Sequence, residues 1–149
     1  MPTDVLLDDD LGGPDARSPD DKVFDERSIW IATALGTPVA SGALMYYNAG
    51  KLDRGEGLRH LLVCGAILLA TFAIGFALPE EIPGLLFTAA QLFAVNAYFQ
   101  RAQKSAVTEH TFHGGGIQSR WVAAGVGLLG LLLFGGLLLA VLYLSDETL

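Results

Sequence analysis

Residues 29–47 read IWIATALGTPVASGALMYY, nineteen positions without Asp, Glu, Lys, Arg or His. A stretch of this length and composition approaches the roughly 20 residues with which a helix crosses about 30 Å of hydrocarbon. It also lacks the polar face that a helix of a soluble bundle presents to water. Three further stretches share both properties: residues 61–78 (LLVCGAILLATFAIGFAL), 82–99 (IPGLLFTAAQLFAVNAYF) and 121–144 (WVAAGVGLLGLLLFGGLLLAVLYL). The expected fold is therefore all-α: an integral membrane bundle of four transmembrane helices occupying residues 28–149.

The ends of the segments fit this expectation. Trp30, Tyr46, Tyr47, Tyr98, Trp121 and Tyr143 fall near the expected helix termini, where amphipathic rings favour the headgroup region. The sequence LPEEIPG, residues 78–84, reads as a tight turn, with Pro83 near a helix start where its missing N–H costs little. The second and third helices then form an antiparallel hairpin.

Charge is concentrated outside the apolar body. Residues 1–27 hold nine acidic and three basic side chains, a net charge of −6 out of the chain's −7. Acid, Gly and Pro with few large apolar groups predict a disordered tail, in which DVLL, residues 4–7, is a candidate docking motif. A secretory signal would need a basic start and an early apolar core, and neither is present. No basic patch exists to neutralise phosphates, which argues against nucleic acid. The single cysteine, Cys64, excludes an intrachain disulfide and reads as a small buried hydrophobe. Six cations fall in the first and third connections (Lys51, Arg54, Arg59, Arg101, Lys104 and Arg120) and three in the tail. The excess of positive charge on cytoplasmic loops then predicts those two connections in the cytoplasm of a bacterial inner membrane, with both termini periplasmic or exterior.

Small residues supply the expected helix contacts, because apolar helices in lipid associate through close packing. Ala32, Gly36 and Ala40 lie at i, i+4 and i+8 on the first helix, with Gly42 beyond them and Thr33, Thr37 and Ser41 alongside. A hydroxyl of Thr37 or Ser41 is expected to satisfy the carbonyl freed by Pro38. Ala66, Ala70, Ala73 and Ala77 make a seam on the second helix; Ala123, Gly127 and Gly130 do so on the fourth. The third helix carries the polar content, Gln91 and Asn96 above all. Gln91 is expected to point into the bundle or into a protein contact, since an unpaired amide in lipid costs several kcal/mol.

Candidate chemistry is sparse. Ion and proton pumps place ionisable groups inside their spans, and these spans have none. Residues 106–121, AVTEHTFHGGGIQSRW, gather Glu109, His110 and His113 beside three glycines. The two histidines at i and i+3 on a helix have the spacing of a metal pair, but the favoured reading is a solvated loop. No catalytic residue and no cofactor is expected.

The string LGTPVASGALMYYNAGKL, residues 35–52, resembles the first helix of a group of small bacterial inner-membrane proteins. Gly36, Pro38, Ala40, Gly42, Asn48 and Lys51 occupy the matching positions. The later order is similar too: an alanine- and leucine-rich second helix, a Pro-containing hairpin, a basic connection, then SRW and a GLLGLLL helix. The resemblance covers about residues 29–144 and implies a four-helix membrane architecture without any activity or site. The expected function is that of a non-enzymatic accessory or scaffold subunit of a bacterial membrane complex. Its expected partners are the lipid bilayer and other membrane subunits or copies of itself. The alternatives are a small oligomeric channel or transporter, lined by Gln91 and the first helix's hydroxyls, and a membrane immunity protein.

Overall fold

Residues 29–47 do not form one helix. In the computed structural model, which describes residues 21–78 and 82–146, Glu26–Leu35 is α1 and Pro38–Lys51 is α2. The break originates at Pro38, whose ring disfavours the helical conformation at the preceding residue. Thr37 is accordingly extended, at φ −141° and ψ 166°. Pro38 then opens α2, where a missing N–H leaves no helical bond unmade.

The break is a full reversal, not a kink. The Ser41 hydroxyl donates to the carbonyl of Ile29 at 3.0 Å and also meets the hydroxyl of Thr33. Further along, the side chain of Asn48 bonds the backbone of Phe24. In a continuous helix residues 24 and 48 would lie about 36 Å apart. The two helices therefore form an antiparallel hairpin with both ends together, which corrects the expected first span. The spacing argument missed it because a helical hairpin and a long helix carry the same apolar composition. Ser41 bonds the Ile29 carbonyl across the hairpin, a different carbonyl from the one four residues before Pro38 that it was expected to satisfy.

The rest of the chain follows the expected helical order with one addition. Gly57–Ala77 is α3, Gly84–Ala102 is α4, Lys104–Phe112 is α5 and Arg120–Asp146 is α6. Lys22–Val23 (β1) pairs in parallel with Gly116–Ile117 (β2), so the described residues are all-helical apart from this two-residue ladder. Two helices, α3 and α6, are long and apolar enough to cross a membrane. Helix α1 is surrounded by α2, α4 and α6, while α2 packs chiefly on α3. The centre is filled by Ile29, Ala32, Met45, Cys64, Val95, Phe99 and Ala123, all essentially inaccessible.

Small residues set the helix approaches, on the faces the sequence indicates for all but α3. A Cβ on Gly36 would collide with the carbonyl of Gly127. One on Gly127 would lie 3.1 Å from the Ala32 carbonyl, and one on Gly130 would lie 3.2 Å from the Ala40 Cβ. A Cβ on Gly42 would lie 2.9 Å from the Cys64 Cβ. Ala32, Gly36 and Ala40 thus all meet α6, although they belong to two antiparallel helices. Ala66 and Ala70 are exposed. The buried stripe of α3 is His60, Cys64 and Leu68, and positions two residues along lie about 200° round the helix from it.

Every described cation gathers at one end of the molecule: Lys22, Arg27, Lys51, Arg54, Arg59, Arg101, Lys104 and Arg120 sit at the helix ends and connections nearest β1. Seven residues assigned by sequence to the tail, 21–27, belong to this end as β1 and the start of α1. Acidic groups hold them there, through Asp21–Lys51 at 3.0 Å, Glu26–Lys104 at 3.4 Å and Asp25–Arg120 at 3.7 Å. The remainder of the tail, with DVLL, lies outside the described residues.

The Gly36–Gly127 approach generates a prediction. Gly36→Ala should destabilise the protein by about 1–3 kcal/mol, since backbone on both sides must separate. Gly125→Ala and Gly136→Ala, where nothing lies within 4 Å of the added carbon, should leave the midpoint of thermal unfolding in mild detergent unchanged or slightly raised.

Candidate functional site

The polar end is organised by Asn48, on the last turn of α2 and wholly inaccessible. Its Oδ1 accepts the Phe24 N–H at 2.8 Å, and its Nδ2 donates to the Phe24 carbonyl at 2.9 Å. The same nitrogen donates to Oε1 of Gln103 at 3.3 Å, and Gln103 Nε2 donates to the Met45 carbonyl at 2.7 Å. Gln103 stands at the junction of α4 and α5 and is 1% exposed. Two buried amides therefore link Phe24, just after β1, to α2 and the α4–α5 junction. Their donors and acceptors are used on backbone groups, the arrangement that makes a buried polar network specify one geometry.

A second clamp lies beside it. Helix α5 turns His110 inward, where it is buried and its Nε2 donates to the Asp21 carbonyl at 2.6 Å. Since a carbonyl only accepts, the proton resides on Nε2 in this geometry. Gly115 packs directly on the imidazole, with no room for a Cβ. The following residues reach β1 through the two-residue ladder and through the Gln118 N–H, which donates to the Val23 carbonyl at 2.8 Å. Residues 106–121 are thus a helix, a glycine turn and a strand that fasten the N-terminal segment, in place of the expected solvated loop. Lys51, beside Asp21, has its pKa raised, first by the hydrogen bond and then by the charge of that carboxylate. A raised lysine pKa means that Lys51 stays charged at neutral pH and that, on the alkaline side, the contact is lost as pH climbs through the raised value.

The metal candidates separate. Glu109 and His113 are on the exposed side of α5, with His113 Nδ1 turned to the Glu109 carbonyl at 2.8 Å, while His110 faces the interior. Among the described residues no cluster of three His, Cys, Asp or Glu side chains is poised for a metal ion. His60 is likewise a buried structural group, its Nδ1 2.9 Å from the Tyr98 hydroxyl and joining α3 to α4. Cys64 is fully buried, as its apolar surroundings predict. Sequence reasoning missed Gln103 and the inward turn of His110. The one available signal was Asn48, an amide near the end of an apolar stretch.

Three concavities stand out among the described residues. A cleft of about 480 Å³ at the polar end is bounded by Asp25, Glu26, Arg27, Lys104, Trp30 and Phe99 among others. A groove of about 380 Å³ lies between α2 and α6, lined by Val39, Ala43, Leu129, Gly130 and Leu133. It arises because α2 starts partway along α6. The third, about 410 Å³, lies between α3 and α4 near the end remote from the cations, and includes Thr71, Phe72, Gly75, Phe87, Thr88 and Gln91. Gln91 makes no hydrogen bond to any described residue. Asn96, on another side of α4, keeps a buried Oδ1 without a partner. The chain matches no protein-family model, no curated protein and no solved structure.

These geometries separate clamp residues from surface ones. Asn48→Leu should cost at least about 2 kcal/mol, because it strands two buried backbone groups of Phe24. His113→Ala and Glu109→Gln should each stay within about 0.5 kcal/mol of the parent. Added zinc should leave the melting profile of the parent unchanged; a zinc-dependent rise abolished by His113→Ala would contradict this placement of the histidines.

Proposed function

We propose that the chain is a non-enzymatic integral membrane protein, an accessory or scaffold subunit that works by docking another membrane helix. The proposed arrangement is three crossing helices, α3, α4 and α6, and one re-entrant hairpin, α1–α2. By length, α1 reaches about 15 Å and α2 about 21 Å, short of a 30 Å hydrocarbon core, while α3 and α6 exceed it or match it. If α3 crosses, α4 must return, because its far end is tied through Gln103 to Asn48. Trp121 and Tyr143, both well exposed, stand about 33 Å apart along α6, the separation of the two interfacial belts.

The distribution of charge supports one orientation. With the hairpin returning to its starting side, all eight described cations share a single face, which the positive-inside tendency assigns to the cytoplasm. The N-terminus is then cytoplasmic and the C-terminus exterior, in place of two exterior termini. Arg27, awkward beside a first span that begins outside, becomes ordinary. The resemblance to small bacterial inner-membrane proteins supports that membrane as the location.

The observation that carries the docking function is the carboxamide of Gln91. It lines the α3–α4 groove in the apolar half of the molecule and has no partner among the described residues. An amide facing hydrocarbon unpaired costs several kcal/mol, so a polar group from a partner helix is the physical complement. The channel reading has less support: the hydroxyls of Thr33 and Ser41 are spent on the hairpin's own backbone, and the groove beneath its tip is lined mostly by Val, Ala and Leu.

Reporters fused to each terminus test the arrangement. A C-terminal alkaline phosphatase should be active and an N-terminal one inactive, with the reverse for a cytoplasmic fluorescent protein. Identical behaviour at both ends would overturn the three-crossing arrangement. A photo-crosslinking residue at position 91 should capture protein in the native membrane, whereas one at Leu139 should capture mainly lipid; lipid alone at position 91 would overturn the docking function.

A further inference from the structure

We infer that the helix docked in the α3–α4 groove belongs to a second copy of this chain, the two copies meeting about a two-fold axis along the membrane normal with Gln91 opposite Gln91. The inference rests on the membrane reading above and names the partner of the same groove. A carboxamide presents two N–H donors and a carbonyl acceptor in one plane, so it is complementary to itself. Two copies inserted with their cationic ends on the same side carry Gln91 at the same depth. A two-fold axis along the normal relates every atom to its counterpart at that depth, and residues near the axis face themselves. Self-pairing therefore satisfies both amides without requiring a different polar group at a matching height on another protein.

The surroundings of Gln91 fit a close approach. The residue lies seven positions into α4, about 10 Å from its first residue and deep in the apolar segment. Thr88, three residues earlier and exposed, shares its face. Gly75 and Gly84 line the same groove, and nothing lies within 4 Å of a Cβ built on Gly84. Small residues beside a polar one are the usual composition of a close helix contact in lipid. At the rim, Phe76 is 88% exposed, while the groove beside it offers about 410 Å³. In an isologous pair each copy inserts one such ring and receives one, which buries the most exposed phenylalanine of the described chain.

The test uses the purified full chain in phosphatidylcholine vesicles at high dilution. In a Cys64→Ala background, Thr88→Cys should form an intermolecular disulfide on mild oxidation, and Leu138→Cys on α6 should not. Single-molecule photobleaching should show two copies per particle in the parent, and Gln91→Leu should shift the monomer–dimer midpoint by about tenfold toward monomer. Gln91→Asn, which keeps the amide, should recover part of that loss. A parent that bleaches in one step at every density, or that crosslinks through position 138 and not 88, overturns the self-pairing. If the purified chain is monomeric while a crosslinker at position 91 captures a different protein in the native membrane, the second-copy inference falls and helix docking stands. Capture of lipid alone in both settings removes both.

Discussion

The carboxamide of Asn48 grips the N–H and the carbonyl of Phe24 at once, and the architecture depends on that bond pair. Residues 24 and 48 can meet only if the chain between them doubles back, so the clamp and the reversal at Gly36–Thr37–Pro38 are two halves of one device. The proline ends one helix and opens the next; the amide closes the far end of the resulting hairpin. Between them, Ser41 bonds the Ile29 carbonyl, so the polar groups along the hairpin's inner face are answered inside it. Removing either half would leave buried backbone groups without partners, at a cost comparable to a substantial share of a small domain's stability.

From this closure follows the asymmetry of the molecule. One end holds the β1–β2 ladder, the His110 clamp and three ion pairs between the N-terminal segment and α2, α5 and α6. These ion pairs are partly exposed and individually weak; the buried amides and imidazole set the geometry that they border. The other end has only α3, α4 and α6, since the hairpin stops short. There the helices expose Leu, Phe and Val over most of their surface, and there Gln91 has no partner among the described residues. The organised end and the unsatisfied end are consequences of the same short hairpin.

Much of the helical order was legible before any coordinates. The apolar stretches at 61–78, 82–99 and 121–144 correspond to α3, α4 and α6, because charge-free length is a property of composition. Gly36, Gly42, Gly127 and Gly130 were identifiable as close-approach positions, since only a missing side chain admits backbone contact. Burial of Cys64 followed from its apolar neighbours. The seam of Ala66 and Ala70 was misleading because alanine spacing marks a smooth face without saying whether another helix lies against it. His110 misled in the opposite direction: beside three glycines it read as solvated, and only the position of Asp21, 89 residues away in sequence, explains why it is inside.

By itself the sequence determined that the chain is helical, that the segments of α3 and α6 are apolar enough to cross a membrane, and that helices approach closely at Gly36, Gly42, Gly127 and Gly130. Those properties are local: they depend on composition, on period and on the presence or absence of a Cβ. Tertiary structure alone decided that residues 29–47 reverse, that residues 21–27 join the fold, and that the described cations share one end. Each of these depends on a bond between residues distant in sequence, Asn48 with Phe24 and His110 with Asp21, and no periodicity within a segment records such a bond. A proline in an apolar stretch announces a break in the ladder; the angle of that break is set by what the two halves find to bond.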